Sequence, residues 1–444
     1  LLTYEDARKR ARQIAEVTGS KFMPPWHAEA GHVELANPRV LTEAQIATLK
    51  RWSETGAPEG DRKKLPKLPT FTEGWQAGKP DLILKMTEPF KLYAEGRDVY
   101  RNFVFPLDLP EDKYVRAIEF RPGNRSIVHH ALFFLDESGA ARAADAADAG
   151  PGYGDRGEAL QRFTPVGGWA VGSNVRELPD GLAYRYPKGA DLVVQTHFHP
   201  TGKEEEELTT IGLYFAPKPK RSFVGVQVPP AFGQISGIDI PAGVSNYVVR
   251  DAFTLPVDVE GFGIAAHAHY LGKIFTMKAV LPDQKELVLL RMPDWDFAWQ
   301  EQYNFKHWVK LPKGTRLETE IVYDNSATNP RNPTSPPVRV RWGTGSTDEM
   351  GSITLQVVPA SEEEAAVLRD ALRGHAADLI IERVKAGLAA GGGEGGGRRG
   401  GWVKSMVAMF DRNNDGQLQD EECGPLRNFI KQSPLLPGGL NNTF

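Results

Sequence analysis

The spacing of apolar residues changes character along the chain. From residue 1 to about 58 it is helical. Tyr4 to Ile14 is rich in helix formers, and Thr42 stands where an N-cap belongs, before Ile46, Leu49 and Trp52 at helical spacing. Those three residues predict one buried stripe. Between the two helical stretches, Phe22-Met23-Pro24-Pro25-Trp26 cannot be helix interior, because proline lacks the amide donor and clashes with the preceding turn. Residues 59–74, with Lys63, Lys64, Pro66, Lys67 and Pro69, read as a linker.

From about 75 to 359 the runs shorten and alternate with Gly, Pro and Asn. Leu192 to His197, Ser245 to Val249 and Ile353 to Val358 are examples. Many short strands between turn signals predict a mainly β fold of β-sandwiches. The length accommodates two, over 75–218 and 219–360, with the break near Pro217–Phe223. Ser361-Glu362-Glu363-Glu364 opens a helix over 361–390 with a capping box. A glycine-rich linker over 391–401 and a compact segment over 402–436 follow.

Composition narrows the function classes. The chain has 444 residues, 41% hydrophobic and 25% charged, so it is globular with more than one sizeable core. A net charge of −4 supplies no basic field for nucleic acid or an anionic membrane surface. Arg398, Arg399 and Lys404 are too few for a nucleic-acid patch. No apolar run reaches the roughly 20 residues of a membrane span. Cys423 is the sole cysteine, so no intrachain disulfide is expected. The chain starts at Leu1 without an apolar signal region and reads as a processed or truncated product.

The histidines carry the chemistry. Six of the ten fall in three tight pairs: His129–His130, His197-Phe198-His199 and His267-Ala268-His269. Alternate strand residues share a face, so each His-X-His offers half of a metal site. Adjacent histidines point to opposite faces, so His129 and His130 can join one ion only at a strand end or a bulge. Met350 follows the acidic turn Thr347-Asp348-Glu349 and precedes a strand. A thioether beside imidazoles suits Cu(I), and imidazole suits both copper states.

The blocks Val128-His129-His130, Gln195-Thr196-His197-Phe198-His199, His267 to Lys273 and Asp348-Glu349-Met350 resemble, as an ordered set over roughly 75–359, the copper type II ascorbate-dependent monooxygenases. That family includes the peptidylglycine- and dopamine β-hydroxylating enzymes. The resemblance implies two tandem jelly-roll sandwiches holding two copper ions. One copper would take His129, His130 and His197 and store an electron. The other would take His267, His269 and Met350 and bind dioxygen, leaving His199 outside both sets. The implied reaction hydroxylates a C–H bond of a small-molecule or peptide-like substrate. One oxygen atom of O₂ goes to product and the other to water, with an ascorbate-like reductant or a cytochrome as electron donor. Two departures bear on the substrate. Peptide-hydroxylating relatives carry an arginine two residues before the His-X-His pair, where this chain has Ala265, and a tyrosine four residues after the methionine, where it has Thr354. A peptidylglycine substrate is therefore not expected.

Both ends add expectations. Residues 1–58 resemble the C-terminal half of a cytochrome c domain, with Met23 at the haem axial position. No Cys-X-X-Cys-His is present, so haem binding is expected only if an upstream haem half exists. Asp411 to Glu422 matches an EF-hand calcium loop. Asp411, Asn413, Asp415 and Glu422 would offer side-chain oxygens and Gln417 its carbonyl; Gln419 would act through water and Gly416 would make the turn. Copper chemistry and the cytochrome-like segment point to a periplasmic or secreted location. Two other readings stand beside the leading one. In the first, His197 and His199 with a glutamate of Glu204–Glu207 form the facial site of a cupin-like mononuclear iron or manganese oxygenase. In the second, the chain is a non-catalytic copper-binding or electron-transfer protein.

Overall fold

A computed structural model describes residues 1–65, 67, 74–154, 163–171, 175–389, 409–413, 415 and 417–432. The expected glycine-rich linker over 391–401, most of 66–73, Arg398, Arg399, Lys404 and Gly416 lie outside the described residues.

The fold is mainly β, in two double-layered units. In the first, a five-stranded sheet runs in the order Tyr153–Gly154, Val99–Pro106, Asp191–Phe198, Val128–Asp136, Thr164–Ala170. It faces a four-stranded sheet of Leu82–Lys85, Thr210–Ala216, Lys113–Arg121 and Tyr184–Tyr186. Alternate residues from both sheets, among them Phe103, Val194, Val115 and Ile211, close one core. The second unit repeats the plan. Val224–Val228, Gly351–Pro359, Val259–Ala268 and Gln302–Leu311 face Tyr247–Thr254, Arg316–Tyr323, Gly272–Val280 and Glu286–Met292. Its core includes Ile264, Phe275, Trp295 and Leu355. Each of these sheets pairs its strands antiparallel.

Helices attach at both ends. Thr42 caps the helix Glu43–Glu54 through a complete capping box with Gln45. Ile46, Leu49 and Trp52 lie on one side of it, but they are half-buried rather than buried. The helix meets the helix Ala11–Gly19 and not a sandwich core, so its stripe has only a small partner. The stretch after Met23 leaves the helices and packs on the second sandwich: Trp26 meets Tyr303 edge to face at 5.0 Å, Arg39 pairs with Glu301, and Leu35 bridges Phe305. The helix Glu362–Ala389 starts where Ser361 Oγ accepts from the Glu364 amide. Its Ala376, Ala377, Ile381 and Val384 pack on Leu426 and Ile430 of the helix Asp420–Gln432. Among the described residues no helix is long and apolar enough to cross a membrane.

Candidate metal centre

The first cluster forms where the strands Val128–Asp136 and Asp191–Phe198 pair. His130 stands opposite His197, and the register slips between Val128 and His130, leaving His129 as the extra residue of a bulge. The bulge lets adjacent histidines turn to one side, which a regular strand forbids. Ligating atoms of His129, His130 and His197 all lie within 4.8 Å of one another. The Nδ1 atoms of His129 and His130 are 3.1 Å apart, and those of His130 and His197 are 3.4 Å apart. Nitrogen lone pairs this close need a proton or a cation among them. Burial pushes His129 down to about 4 and His130 well below the ordinary imidazole range, with the neighbouring His197 acting in the same direction. Both rings are therefore neutral near pH 7, the form that ligates a metal.

Asp98 braces this cluster. One carboxylate oxygen accepts from His197 Nε2 at 2.8 Å and the other from His199 Nδ1 at 2.8 Å. The hydrogen bond from His197, aided by His199, holds Asp98 down at about 2 against its desolvation. With Nε2 donating to a carboxylate, His197 keeps Nδ1 as the free lone pair aimed at the cluster. Tyr100 stacks flat on the His197 ring at 4.3 Å. His199 is 68% exposed at its side chain and turned away from the cluster.

The second group sits at the end of the central strand of the other sandwich. His267 lies in Val259–Ala268 and pairs with Ser352; Ala268 pairs with Gly351. His269 and Met350 therefore follow immediately past two paired strand ends, which makes them neighbours. The rings of His267 and His269 stand 5.4 Å apart and perpendicular. His267 Nδ1 donates to Gln300 Oε1 at 2.6 Å, and His269 Nδ1 donates to the Asp348 carbonyl at 3.0 Å. Oxygen acceptors place the proton on Nδ1 and leave each Nε2 free to ligate. Burial, reinforced by His267, pushes His269 down to about 3, and burial lowers His267 as well.

Glu349 ties the two strand ends together. Its fully buried carboxylate accepts from the amides of His269 at 2.9 Å, Met350 at 3.0 Å and Leu271 at 2.7 Å. Burial raises its pKa to about 8, although the surrounding amides favour the charged form.

A cavity of about 720 Å³ takes in His130, His267, His269 and Met350 in its wall. The ring of Phe297 lies 5.4 Å from His129 and 5.4 Å from His269, so one aromatic side chain touches both clusters. Trp26, His27 and Arg39 bring the N-terminal segment to the same cavity. Met23 is 40% exposed and outside the cavity wall.

At the C-terminal end, Asp411 and Glu422 are buried and draw the loop closed. Glu422 accepts from the amides of Arg412 at 2.6 Å and Gln419 at 3.1 Å. Asp415 accepts from the Gln417 amide at 2.8 Å and from Gln419 Nε2 at 2.6 Å, while its own amide donates to Asn413 Oδ1 at 3.1 Å. Thus Gln419 contacts the loop carboxylate directly.

The acidic run near His199 is not gathered with the histidines. Glu207 accepts from the amides of Gly123 and Asn124, and Glu205 accepts from Thr201 and Asn124. Asp98, Glu349, Gln300 and Phe297 escape a sequence reading because nothing in their spacing links them to the histidines. Glu349 alone carried a hint, as the acidic residue beside Met350.

No protein-family model and no curated protein matches the chain. Among solved structures it has weak similarity to PNGase F, a glycosylasparaginase from Flavobacterium meningosepticum, with 12% identity over 63% of this chain and 96% of that one and a TM-score of 0.27. Capsid protein P2 of bacteriophage PM2 is similar at 10% identity over 59% and 97%, with a TM-score of 0.23. The infectious bursal disease virus VP2 subviral particle is similar at 8% over 65% and 74%, with a TM-score of 0.20. Scores this low carry no argument about function.

Proposed function

We propose that the chain is a copper-dependent monooxygenase that hydroxylates a C–H bond, built as two tandem jelly-roll sandwiches. The observation that carries this reading is that His130 of the first imidazole cluster and His267 and His269 of the second line one cavity, with the buried Met350 in the same wall. The donor set fits copper: three imidazoles suit an ion that cycles between oxidation states, and a thioether favours Cu(I). Bound copper would supply electron storage at the first cluster and dioxygen chemistry at the second. The overall reaction consumes the C–H bond, O₂, two electrons from an external reductant and two protons, and yields an alcohol and water. His129, His130 and His197 would hold the first ion, with Asp98 fixing the tautomer of His197. His267, His269 and Met350 would hold the second, with Gln300 and the Asp348 carbonyl setting the ring tautomers. Phe297 would present an aromatic face to both ions.

Metal analysis after copper loading is expected to return about two coppers per chain, and reductant-dependent O₂ consumption should yield a hydroxylated product. One tightly bound iron and no copper would overturn the reading. Two coppers with no turnover of any substrate would leave the electron-transfer alternative. Asp98→Ala should weaken Cu²⁺ binding at the first cluster by roughly 10–100-fold, because His197 loses the partner that orients it. A competition titration with a chelator of known affinity measures this; an unchanged affinity would remove Asp98 from the site.

The C-terminal loop supports calcium binding through Asp411, Asn413, Asp415, Gln417 and Glu422. Leu418 packs with Ile381 and Ala231, so closure of this loop is coupled to the long helix. Chelating Ca²⁺ should lower the melting temperature, since a ligand at 100 times its Kd contributes about 2.7 kcal/mol. Identical melting curves with Ca²⁺ and with EGTA would rule out a folded-state site.

A further inference from the structure

Arg176 belongs to the first sandwich, yet its guanidinium is planted on a sheet of the second. Nη1 donates to Gln302 Oε1, and Nη2 donates to Asn304 Oδ1 at 2.8 Å and to Gln356 Oε1. Its Nε is buried without a partner among the described residues. Every acceptor is a neutral amide, and among the described residues no carboxylate pairs with it. Other arginines of the same cavity differ: Arg39 is paired with Glu301 and Arg116 with Glu177, while Arg121 is half-buried and Arg125 exposed. Burial lowers the basicity of Arg176, and only Tyr184 opposes that trend. A largely desolvated cation without a counter-charge is unfavourable by several kcal/mol in general, so its retention at a cavity wall calls for an anion.

The strand beneath is shaped to admit it. Gly263 pairs with Asn304 on one side and Gln356 on the other. A Cβ at Gly263 would lie 2.8 Å from Arg176 Nη2 and 2.7 Å from Gln356 Oε1, so any larger residue would displace the guanidinium. Gly263, Ala265 and His267 then follow on one face of the same regular strand, because side chains alternate. Ala265, between Gln302 and Thr354, places only a methyl group on the floor between the cation and the imidazole. Arg176, Ala265, His267 and Met350 all line the same cavity. Four strand residues span roughly 13 Å.

We propose that Arg176 binds the anionic end of the substrate, and that this substrate is an elongated monocarboxylate whose charge lies roughly 13 Å from the carbon presented to His267 and Met350. The anion subsite stands without metal; the identity of the bound molecule as substrate rests on the monooxygenase reading. A single guanidinium on this floor matches a monoanion: Arg39 and Arg116 already have counter-charges, and Arg121 and Arg125 retain solvent exposure. Trp169, Phe133, Val166 and Phe232 give the same cavity apolar wall for a hydrocarbon body. The separation of charge from reaction point differs from that in a substrate whose carboxylate adjoins the reacting carbon.

Calorimetric titration of copper-free protein with linear fatty acids from hexanoate to hexadecanoate, each against its methyl ester, tests the subsite. The acids should bind at least tenfold more tightly than the esters, with an optimum at intermediate length and with affinity falling as salt is raised. Arg176→Gln should erase the acid–ester difference while leaving ester affinity unchanged. Equal affinity of acid and ester in the wild type overturns the proposal, whether or not the variant folds. So does an equal loss of both ligands in a folded Arg176→Gln protein, the result expected of a mere strut. With copper and reductant, hydroxylation should fall on carbons far from the carboxylate. If acids bind the metal-free protein but are never oxidised, the subsite stands and the monooxygenase reading fails. If other compounds are oxidised but acids do not bind, the reverse holds.

Discussion

Met350→Ile is expected to abolish product formation, by more than roughly 100-fold, while one copper per chain remains on the histidines of the first cluster. The side chain is buried, and isoleucine is similar in volume, so the core has little reason to rearrange. The backbone at this position is held independently of the side chain: the Met350 amide donates to Glu349 at 3.0 Å, and its carbonyl accepts from Tyr323 at 2.9 Å. What is lost is the sulfur. Without it, His267 and His269 offer two nitrogens and no soft donor to favour Cu(I). Copper stoichiometry, spectra of the Cu(II) form and turnover should change together, with the melting temperature nearly constant. Undiminished turnover in this variant would remove Met350 from the centre and with it the assignment of the second cluster.

Glu349→Ala should be the most destabilising single substitution near the centre. It would strand the amides of His269, Met350 and Leu271, all now paired with one buried carboxylate. Each unpaired buried amide costs about 1–3 kcal/mol, so a loss of about 3 kcal/mol or more is expected, together with loss of the second copper. Denaturant unfolding of the metal-free protein measures it. Glu349 also makes a pH signature. Its folded pKa of about 8 lies above the unfolded value of 4.5, so between these limits the folded state holds a proton that the unfolded state releases. Its contribution to stability therefore declines as pH rises through that window. His129 and His269 act oppositely: folded values of about 4 and about 3 against 6.5 mean that stability is lost as pH falls below 6.5. From pH 6.5 to 8 the Glu349 slope acts without them. Glu349→Gln should flatten that interval, and an unchanged slope would locate the titrating group elsewhere.

Local signals foretold local structure well. Thr42 caps its helix because the hydroxyl and Gln45 satisfy each other's end of the first turn, a four-residue matter. Ser361 supplies half of that pattern to the long helix, its hydroxyl accepting from the Glu364 amide, while the Glu364 carboxylate accepts from the Ala360 amide one residue earlier. The short apolar runs 192–197 and 353–358, bounded by turn residues, mark strands that are buried along their whole length. The stripe Ile46, Leu49 and Trp52 was legible as a stripe, but its depth depended on what it packs against, which no local pattern records. The histidine pairs suggested a metal site, and the adjacent pair even stated the condition it needed. Whether a bulge exists at His129 was another matter, since it depends on the pairing partner's register.

Residue types and their order along the chain thus specified two β-rich halves, the helical ends and the donor atoms, because hydrophobic alternation, caps and ligand chemistry are properties of a few neighbouring residues. Tertiary structure alone decided which nitrogens converge, that Asp98 and Glu349 hold them, that Phe297 stands between the clusters, and that Arg176 crosses from one sandwich into the other. Those relations join residues as many as 180 positions apart. They arise from strand register and sheet packing, where a shift of one residue turns every side chain to the opposite face.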